Sequence, residues 1–493
     1  MTGMFFLFHK RNARHQLGGS SYRVVDTMED LHTLDLPTIA QRMRSGALSA
    51  QQLMEYCIAH YEQSESALNA YKTWDGARAL EIAQAVDRLL KNNYDLGPLM
   101  GIPTSVKDLF GVPGMPTFAG SSAALPAEWE QAGRLVQVFI DQLSPITGKS
   151  HTVEFAFGGI GMNGHWGTPR NPWDKHTHRI PGGSSSGAGV TLCQGSAWLA
   201  LGTDTAGSVR IPASLTGTTA LKTTEGRWPK EATVPLSTTL DTPGLLARQV
   251  TDLIFGFEAI ESKLQNRPVK VPVLHGLQGI RLGVPQNFFW DDVDESIATQ
   301  VKQAMRALEQ AGAILVPITI PNCDEVYAAF QAGGLGAPEL SDFLLRHMPE
   351  KIEHLDPLVK IRVEGAERLS ATEYLRRVAL FRQASDDVNS VFEQVDAWLN
   401  PTVITTAAAV EDLKDTEQYR QTNMKVLRNP SIANLMRLCA VSLPVGKDAL
   451  GIPVGLQITA AACQEEKLLA LSLQCEKVLG TAMDHFGPYP QWS

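Results

Sequence analysis

The sequence predicts an α/β fold, and three observations carry that prediction. A strand–helix–strand pattern runs through residues 280–320. Apolar residues make up 44% of the 493 positions, enough for a large buried core. No stretch of linker composition divides the chain, and large α/β enzymes often exceed the usual domain length as one unit. Residues 26–493 are therefore expected to form one domain. Residues 1–25 are set apart as an N-terminal extension, read as flexible.

In chain order, residues 36–62 read as two helices. Gly46 ends the first, and Ser49 with Gln52 forms a capping box for the second. Leu53, Met54, Cys57, Ile58 and Tyr61 then mark one face of that second helix. Gly101–Val106 is an apolar run with the character of a strand. Ile280–Pro285 is a short apolar strand, followed by a helix through Ile297, Val301, Met305 and Leu308 that Gly312 stops. Ile314–Ile320 is the next strand. Alternation of this kind argues for a mainly parallel sheet covered by helices. Residues 330–430 read as helical, charged and poor in strands, a possible cap or wall over a substrate pocket. Ile452–Ile458 closes the series as a strand, before a helix that carries Leu468, Leu471, Cys475 and Leu479 on one side.

The formal net charge is -9, without the basic domain or stripe expected of a nucleic-acid-binding protein. The six cysteines are Cys57, Cys193, Cys323, Cys439, Cys463 and Cys475. They are scattered with no C-x-x-C pair, a usage that fits reduced thiols and a cytoplasmic protein. No apolar run reaches the roughly 18 residues that span a bilayer, so no membrane partner is expected. Met4–Phe8 is apolar and is followed by Lys10, Arg11 and Arg14, with no Asp or Glu in the first 25 residues. This weakly resembles a mitochondrial transit peptide, but a floppy leader, an over-long start or a surface arm is the preferred reading.

The informative stretch is residues 181–210, PGGSSSGAGVTLCQGSAWLALGTDTAGSVR. Two hydroxyl-bearing glycine-rich turns flank an apolar segment. Glycine lets a backbone approach a ligand closely, and successive exposed N–H groups can hold an oxyanion. The turn Thr205-Ala206-Gly207-Ser208 can thus present a serine and an oxyanion hole together, and Gly182-Gly183-Ser184-Ser185 can supply a second hydroxyl. A serine needs a base. No histidine sits in either turn, but a lysine kept neutral by burial can serve. Lys107 follows the Gly101–Val106 run and so belongs at a strand end. Lys149, Lys175 and Lys222 are rivals that the residues alone do not eliminate.

GGSSSGAG followed by GTDTAGSVRIPASLTG resembles the signature of the amidase signature family, including the 24-residue spacing from Ser184 to Ser208. GIPTSVKDLFGVPGMPT resembles the block that carries that family's lysine, at Lys107. NGHWGTPRNPWD and GIPVGLQI resemble two further blocks, so the likeness spans most of residues 36–480. The resemblance implies a large mixed, twisted sheet between helical layers. It implies Ser208 as nucleophile, Ser184 as a bridging serine after a cis peptide bond, and Lys107 as general base. It further implies backbone N–H groups of Thr205, Ala206, Gly207 and Ser208 as the oxyanion hole, with Asp204 and Arg210 holding the turn. No cofactor or metal is implied, and a homodimer is the family-based expectation. Three departures stand out: Ala206 where glycine is usual, SSSGAG in the first turn, and KTTEGRWPKE after Leu221.

Shorter motifs compete. Gly183–Gly187 also fits the G-x-S-x-G nucleophile elbow, with Ser185 as nucleophile, but His176–Pro181 makes a poor strand before it. Gly159–Gly164 fits G-x-G-x-x-G, but Trp166–Pro169 breaks the helix that motif needs. His165, His176, His178 and Asp174 lack the spacing of a metal site. The expected activity is hydrolysis of a carboxamide C–N bond in a small molecule through an acyl-enzyme. The alternatives are the glutaminase-type A subunit of a tRNA-dependent amidotransferase and a catalytically silent binding homologue.

Overall fold

A computed structural model describes residues 28–492. The extension over residues 1–25, with its apolar and basic runs, lies outside the described residues. The chain divides into two units, a short one ending at Leu34 and a second from Asp35 to Ser493. Of the first, a single 3-10 segment at Met28–Thr33 is described.

The larger unit is organised by one sheet of eleven strands: β1 (Tyr71–Trp74), β2 (Thr104–Lys107), β3 (Ile146–Ser150), β4 (Leu199–Asp204), β5 (Thr219–Lys222), β6 (Thr242–Ala247), β7 (Arg281–Pro285), β8 (Ile314–Ile318), β9 (Ala397–Pro401), β10 (Cys439–Lys447) and β11 (Pro453–Ala460). Their spatial order is β1-β3-β2-β4-β6-β5-β10-β11-β9-β7-β8. The sheet is mixed, as the family resemblance implies. The mainly parallel sheet expected from alternation alone is not found. The parallel pairings are β2 with β3 and β4, and β7 with β8 and β9. The other neighbours run antiparallel. The physical reason is local: β10 and β11 are joined by a connection of hairpin length, and a short connection forces antiparallel neighbours. Only the β7–β8 unit has its crossover helix plainly written in the sequence.

The helices form where capping chemistry and apolar spacing agree. Helix Leu36–Ser45 ends on Gly46 in the left-handed region. Helix Ala50–Leu68 starts on the reciprocal Ser49–Gln52 box. Helix Glu295–Gln310 buries Ile297, Val301, Met305 and Leu308, and Asp294 caps its start. Residues 330–430 are largely helical and poor in strands, as expected, and their single strand, β9, lies third from the β8 edge of the sheet. Ala397–Pro401 is buried at every position. A fully buried strand of five residues lacks the alternation that distinguishes a strand from a buried helix.

The topology positions the site. β2 and β4 are parallel neighbours, paired from Thr104 with Leu199 to Val106 with Leu201, so their carboxyl ends emerge on one edge. Lys107 ends β2 and Asp204 ends β4. Open α/β sheets bind ligands at that edge of their parallel strands.

Candidate active site

The two Gly/Ser turns lie at that edge. After the first, helix Ser186–Gln194 leads back to β4. After the second, helix Arg210–Thr216 leads to β5. The peptide bond Gly183–Ser184 is cis. A Cβ on Gly183 would lie 2.7 Å from the backbone nitrogen of Gly161, so this turn presses directly on the Gly159–Gly164 run. That run packs as a loop, and no helix follows it. The second turn depends on Gly207, whose φ is +125° and whose Cβ would stand 2.5 Å from Pro430 Cβ. Ala206 stands where the family usually has glycine, and its φ is not positive, so the methyl group is carried without strain.

Lys107 is fully buried, and its Nζ donates to Ser184 Oγ at 2.7 Å and to Thr203 Oγ1 at 2.8 Å. Among the described residues no carboxylate lies within ion-pair distance of it. Burial pushes the amine down to about 7, against the opposing pull of Asp241 and Asp204. The lowered value makes a neutral amine accessible near neutral pH, where an ordinary lysine stays almost wholly protonated. The rivals are occupied elsewhere. Lys149 pairs with Asp108 at 3.0 Å and donates to Thr117. Lys222 donates to the carbonyls of Thr223 and Leu438. Lys175 is exposed. Sequence reading does not single out Thr203, since a lone strand threonine carries no signal.

Ser185 N–H donates to the Ser208 carbonyl at 3.2 Å, which ties the two turns together. Ser208, Thr205 and Ala206 open onto a cavity of about 420 Å³. Gly207 does not line it. Its N–H donates to Asp204 Oδ1 at 2.7 Å, and that of Val209 to Oδ2 at 3.1 Å. The N–H groups of Thr205, Ala206 and Ser208 make no such bond among the described residues. The Gly207 N–H, grouped with these three in the sequence reading, is thus engaged by Asp204.

Asp204 and Arg210 are wholly buried partners, with guanidinium contacts of 3.0 and 3.1 Å. Arg210 also donates to the Pro430 carbonyl, Gln457 Oε1 and Asn434 Oδ1, and Asn434 Nδ2 returns a bond to Asp204. Burial alone would raise the Asp204 carboxyl. Arg210, with Lys222 and Asn434, overrides it and holds the group down to about 2. The pair locks the turn's N–H groups in one orientation. Arg210→Ala leaves an uncompensated buried carboxylate and should cost about 3–5 kcal/mol, read from urea unfolding. In the wild type, the Asp204 contribution is present above about pH 4 and should fade as pH falls toward 2.

The competing motifs resolve separately. Ser185 Oγ donates to the Thr203 carbonyl and no strand precedes it, so the elbow geometry is missing. His165 meets Glu154, His178 meets the Thr168 carbonyl and Asp174 pairs with Arg179. Among the described residues no group of three or more His, Cys, Asp or Glu is placed to hold a metal ion, and no helix is long and apolar enough to cross a membrane. The described cysteines are free, and Cys463 alone of them is exposed. Buried His151 gives the Gly167 carbonyl its Nε2 proton at 3.0 Å, so Nδ1 accepts from Ser186 Oγ at 2.9 Å. Burial lowers this ring to about 3 and keeps it neutral beneath the first turn.

The cavity walls come from three parts of the chain. Ala156–Gly158 form one side, Leu236 and Leu240 a second, and segments between Phe330 and Leu427 the rest. No sequence signal marks the first two, because wall residues share no pattern. Phe155 and Ala156 are consecutive non-glycine residues at φ +46° and +58°, a strained backbone at the cavity edge.

The chain is 52% identical to 2-amino-5-chloromuconic acid deaminase of Comamonas testosteroni over 447 residues, covering 91% of this chain and 96% of that one. It is 29% identical to the A subunit of the glutamyl-tRNA(Gln) amidotransferase of Geobacter metallireducens, over 89% of this chain and 96% of that one. A solved amidase structure superposes with a TM-score of 0.80 at 28% identity, covering 91% of this chain and all of that one. The profile of the Amidase family matches residues 52–469. With that match and a buried lysine on the hydroxyl of a Gly/Ser turn, the chain belongs to the amidase signature family, hydrolases of carbon–nitrogen bonds.

Proposed function

We propose that the protein hydrolyses a C–N bond of a small molecule with Ser208 as nucleophile, Ser184 as proton bridge and Lys107 as base. The observation that carries this reading is the 2.7 Å contact between the buried Lys107 amine and Ser184. The neutral lysine takes the Ser184 proton along that contact while Ser184 takes the Ser208 proton. Ser208 Oγ forms a bond to the carbonyl carbon, and the carbonyl π electrons move to oxygen, which faces the N–H groups of Thr205, Ala206 and Ser208. As the C–N bond breaks, the relay returns the proton to nitrogen and ammonia or an amine leaves. Water, deprotonated by the same relay, then releases the acid and regenerates Ser208. One water is consumed and no redox change occurs.

Two features favour a stand-alone small-molecule enzyme over the amidotransferase role: the 52% relative is named for a small acid, and the amidotransferase relative stands at 29%. The same features, with the intact triad, speak against a silent binding homologue. Residues 26–493 act as one catalytic domain in this reading, with segments of 330–430 as its pocket wall. A cytoplasmic homodimer is expected, checked by fractionation and by light scattering.

The relative's named substrate also favours a second substrate chemistry. An amino-substituted muconic acid carries nitrogen on an unsaturated carbon rather than on a carboxamide. Its net deamination likewise consumes one water and releases one ammonia. Ammonia release should be measured from primary carboxamides and from 2-aminomuconic acids in parallel. Release from carboxamides supports the acyl-enzyme route, and release from aminomuconates alone supports the second chemistry. An enzyme that releases ammonia or amine from neither class, and does not label at Ser208 with a fluorophosphonate, contradicts the proposal.

A further inference from the structure

The charge of the catalytic cavity is out of step with the charge of the chain. The chain carries a net -9, yet the lining of the cavity includes Arg362, Arg368 and Arg377 and no Asp or Glu. Burying like charges along one apolar cavity is unfavourable unless something of opposite charge arrives.

The three arginines are not equivalent. Arg377 is already spent: Nε pairs with Glu373 at 3.1 Å, and Nη1 donates to the carbonyls of Ala332 and Gly334. It braces the Ala332–Gly334 wall. Arg362 lies over the Phe157 ring at 4.0 Å and donates to the carbonyls of Leu358 and Phe157. Those carbonyls orient it but do not neutralise it. Asp356 and the Tyr419 hydroxyl act on it, yet no carboxylate stands within ion-pair distance among the described residues. Arg368 is exposed just beyond the same helical segment, and its side chain makes no ion pair or hydrogen bond among the described residues. Two arginines thus line one cavity without a carboxylate partner among the described residues, Arg362 held by hydrogen bonds and Arg368 making none.

Resting on the catalytic reading above, we propose that Arg362 and Arg368 bind a carboxylate of the substrate, so that the enzyme selects small anionic acids whose C–N bond is presented to Ser208. Arg362 supplies the hydrogen-bonded half of the contact and Arg368 the exposed half. Guanidinium is suited to this because its planar fork matches a carboxylate's two oxygens. Apart from the paired Arg377, the rest of the cavity is apolar or neutral (Leu236, Leu240, Leu427, Asn423), which suits a short hydrocarbon chain between the two ends. Both arginines then act as specificity determinants rather than catalytic residues.

The test uses the full chain and needs no knowledge of the natural substrate. Binding of adipate, a six-carbon dicarboxylate, is measured by calorimetry in wild type, Arg368→Gln and Arg362→Lys. Wild type should bind, Arg368→Gln should bind about tenfold more weakly, and raising the salt should weaken wild type more than the variant. In parallel, adipamic acid is compared with hexanamide as substrate. Arg368→Gln should raise KM for the acid about tenfold with kcat near wild type, and leave hexanamide unchanged. Fluorophosphonate labelling of Ser208 should proceed equally in wild type and Arg368→Gln. Wild type that ignores adipate, or a variant that binds it equally well, overturns the carboxylate site whatever the turnover. Failure of Ser208 to label, with adipate binding intact and lost in Arg368→Gln, overturns the catalytic reading and leaves the carboxylate site standing.

Discussion

Ser208→Ala should lower kcat by about four to six orders of magnitude, the scale seen when the nucleophile of a serine hydrolase is removed. The fold should survive the change. Ser208 Oγ makes no hydrogen bond among the described residues, and the bond that ties the turns runs through the Ser208 backbone carbonyl, which alanine retains. Thermal unfolding of the variant should therefore match wild type while ammonia release disappears. Equal release by wild type and variant would place the nucleophile elsewhere. Adding Lys107→Ala to Ser208→Ala should cost nothing further, because groups that pass one proton act as a unit. A further additive loss would mean that Lys107 works on some other step.

Lys107 is the second decisive position. Its amine must be neutral to take a proton, and burial brings it to about 7. kcat/KM should thus be low in acid, rise through about pH 7 and level off on the alkaline side. An acid optimum that falls above neutrality would contradict the base assignment. Lys107→Arg keeps a cation of similar reach but cannot give up a proton near neutral pH, and should lose at least about a thousandfold in kcat at every pH. Lys107→Met should lose as much. If either variant kept the alkaline-rising profile, the ionisation near 7 would belong to another group. Lys222, also buried and lowered to about 8, is the neighbour whose profile must be told apart. It donates to two backbone carbonyls, so its loss should lower stability rather than shift the pH profile.

Much of this centre is legible in the amino-acid sequence. Glycine is needed where a backbone must turn left-handed or touch another, and hydroxyl side chains beside such turns mark where chemistry is presented. The run from Pro181 to Arg210 shows both, and a long signature block makes the assignment of Ser184 and Ser208 specific. Helix ends at Gly46 and Ser49 are also readable, because caps act within four residues and leave a local trace. The lysine is readable only through the family block. Four lysines satisfy the local argument, and burial, which separates Lys107 from Lys175, is not a property of a short segment.

Ala397–Pro401 shows the opposite case. It is paired on both sides, with β11 and β7, yet nothing in five buried residues distinguishes it from a helical turn. The turn Thr205–Ser208 shows it again. Four successive N–H groups look equivalent in the sequence, but the Asp204 carboxylate claims that of Gly207 and leaves three.

By itself, then, the sequence determined the local chemistry of this protein: the two turns, their hydroxyls, the glycines that shape them and the alternation that implies an α/β core. Tertiary structure decided which lysine meets Ser184, what holds the Asp204 carboxylate in place, and which arginines share a cavity with Ser208. Those outcomes depend on residues 77 to 230 positions apart, such as Lys107 with Ser184 and Asp204 with Asn434. Burial, desolvation and charge matching arise only when such residues are brought together, and no spacing along the chain encodes them.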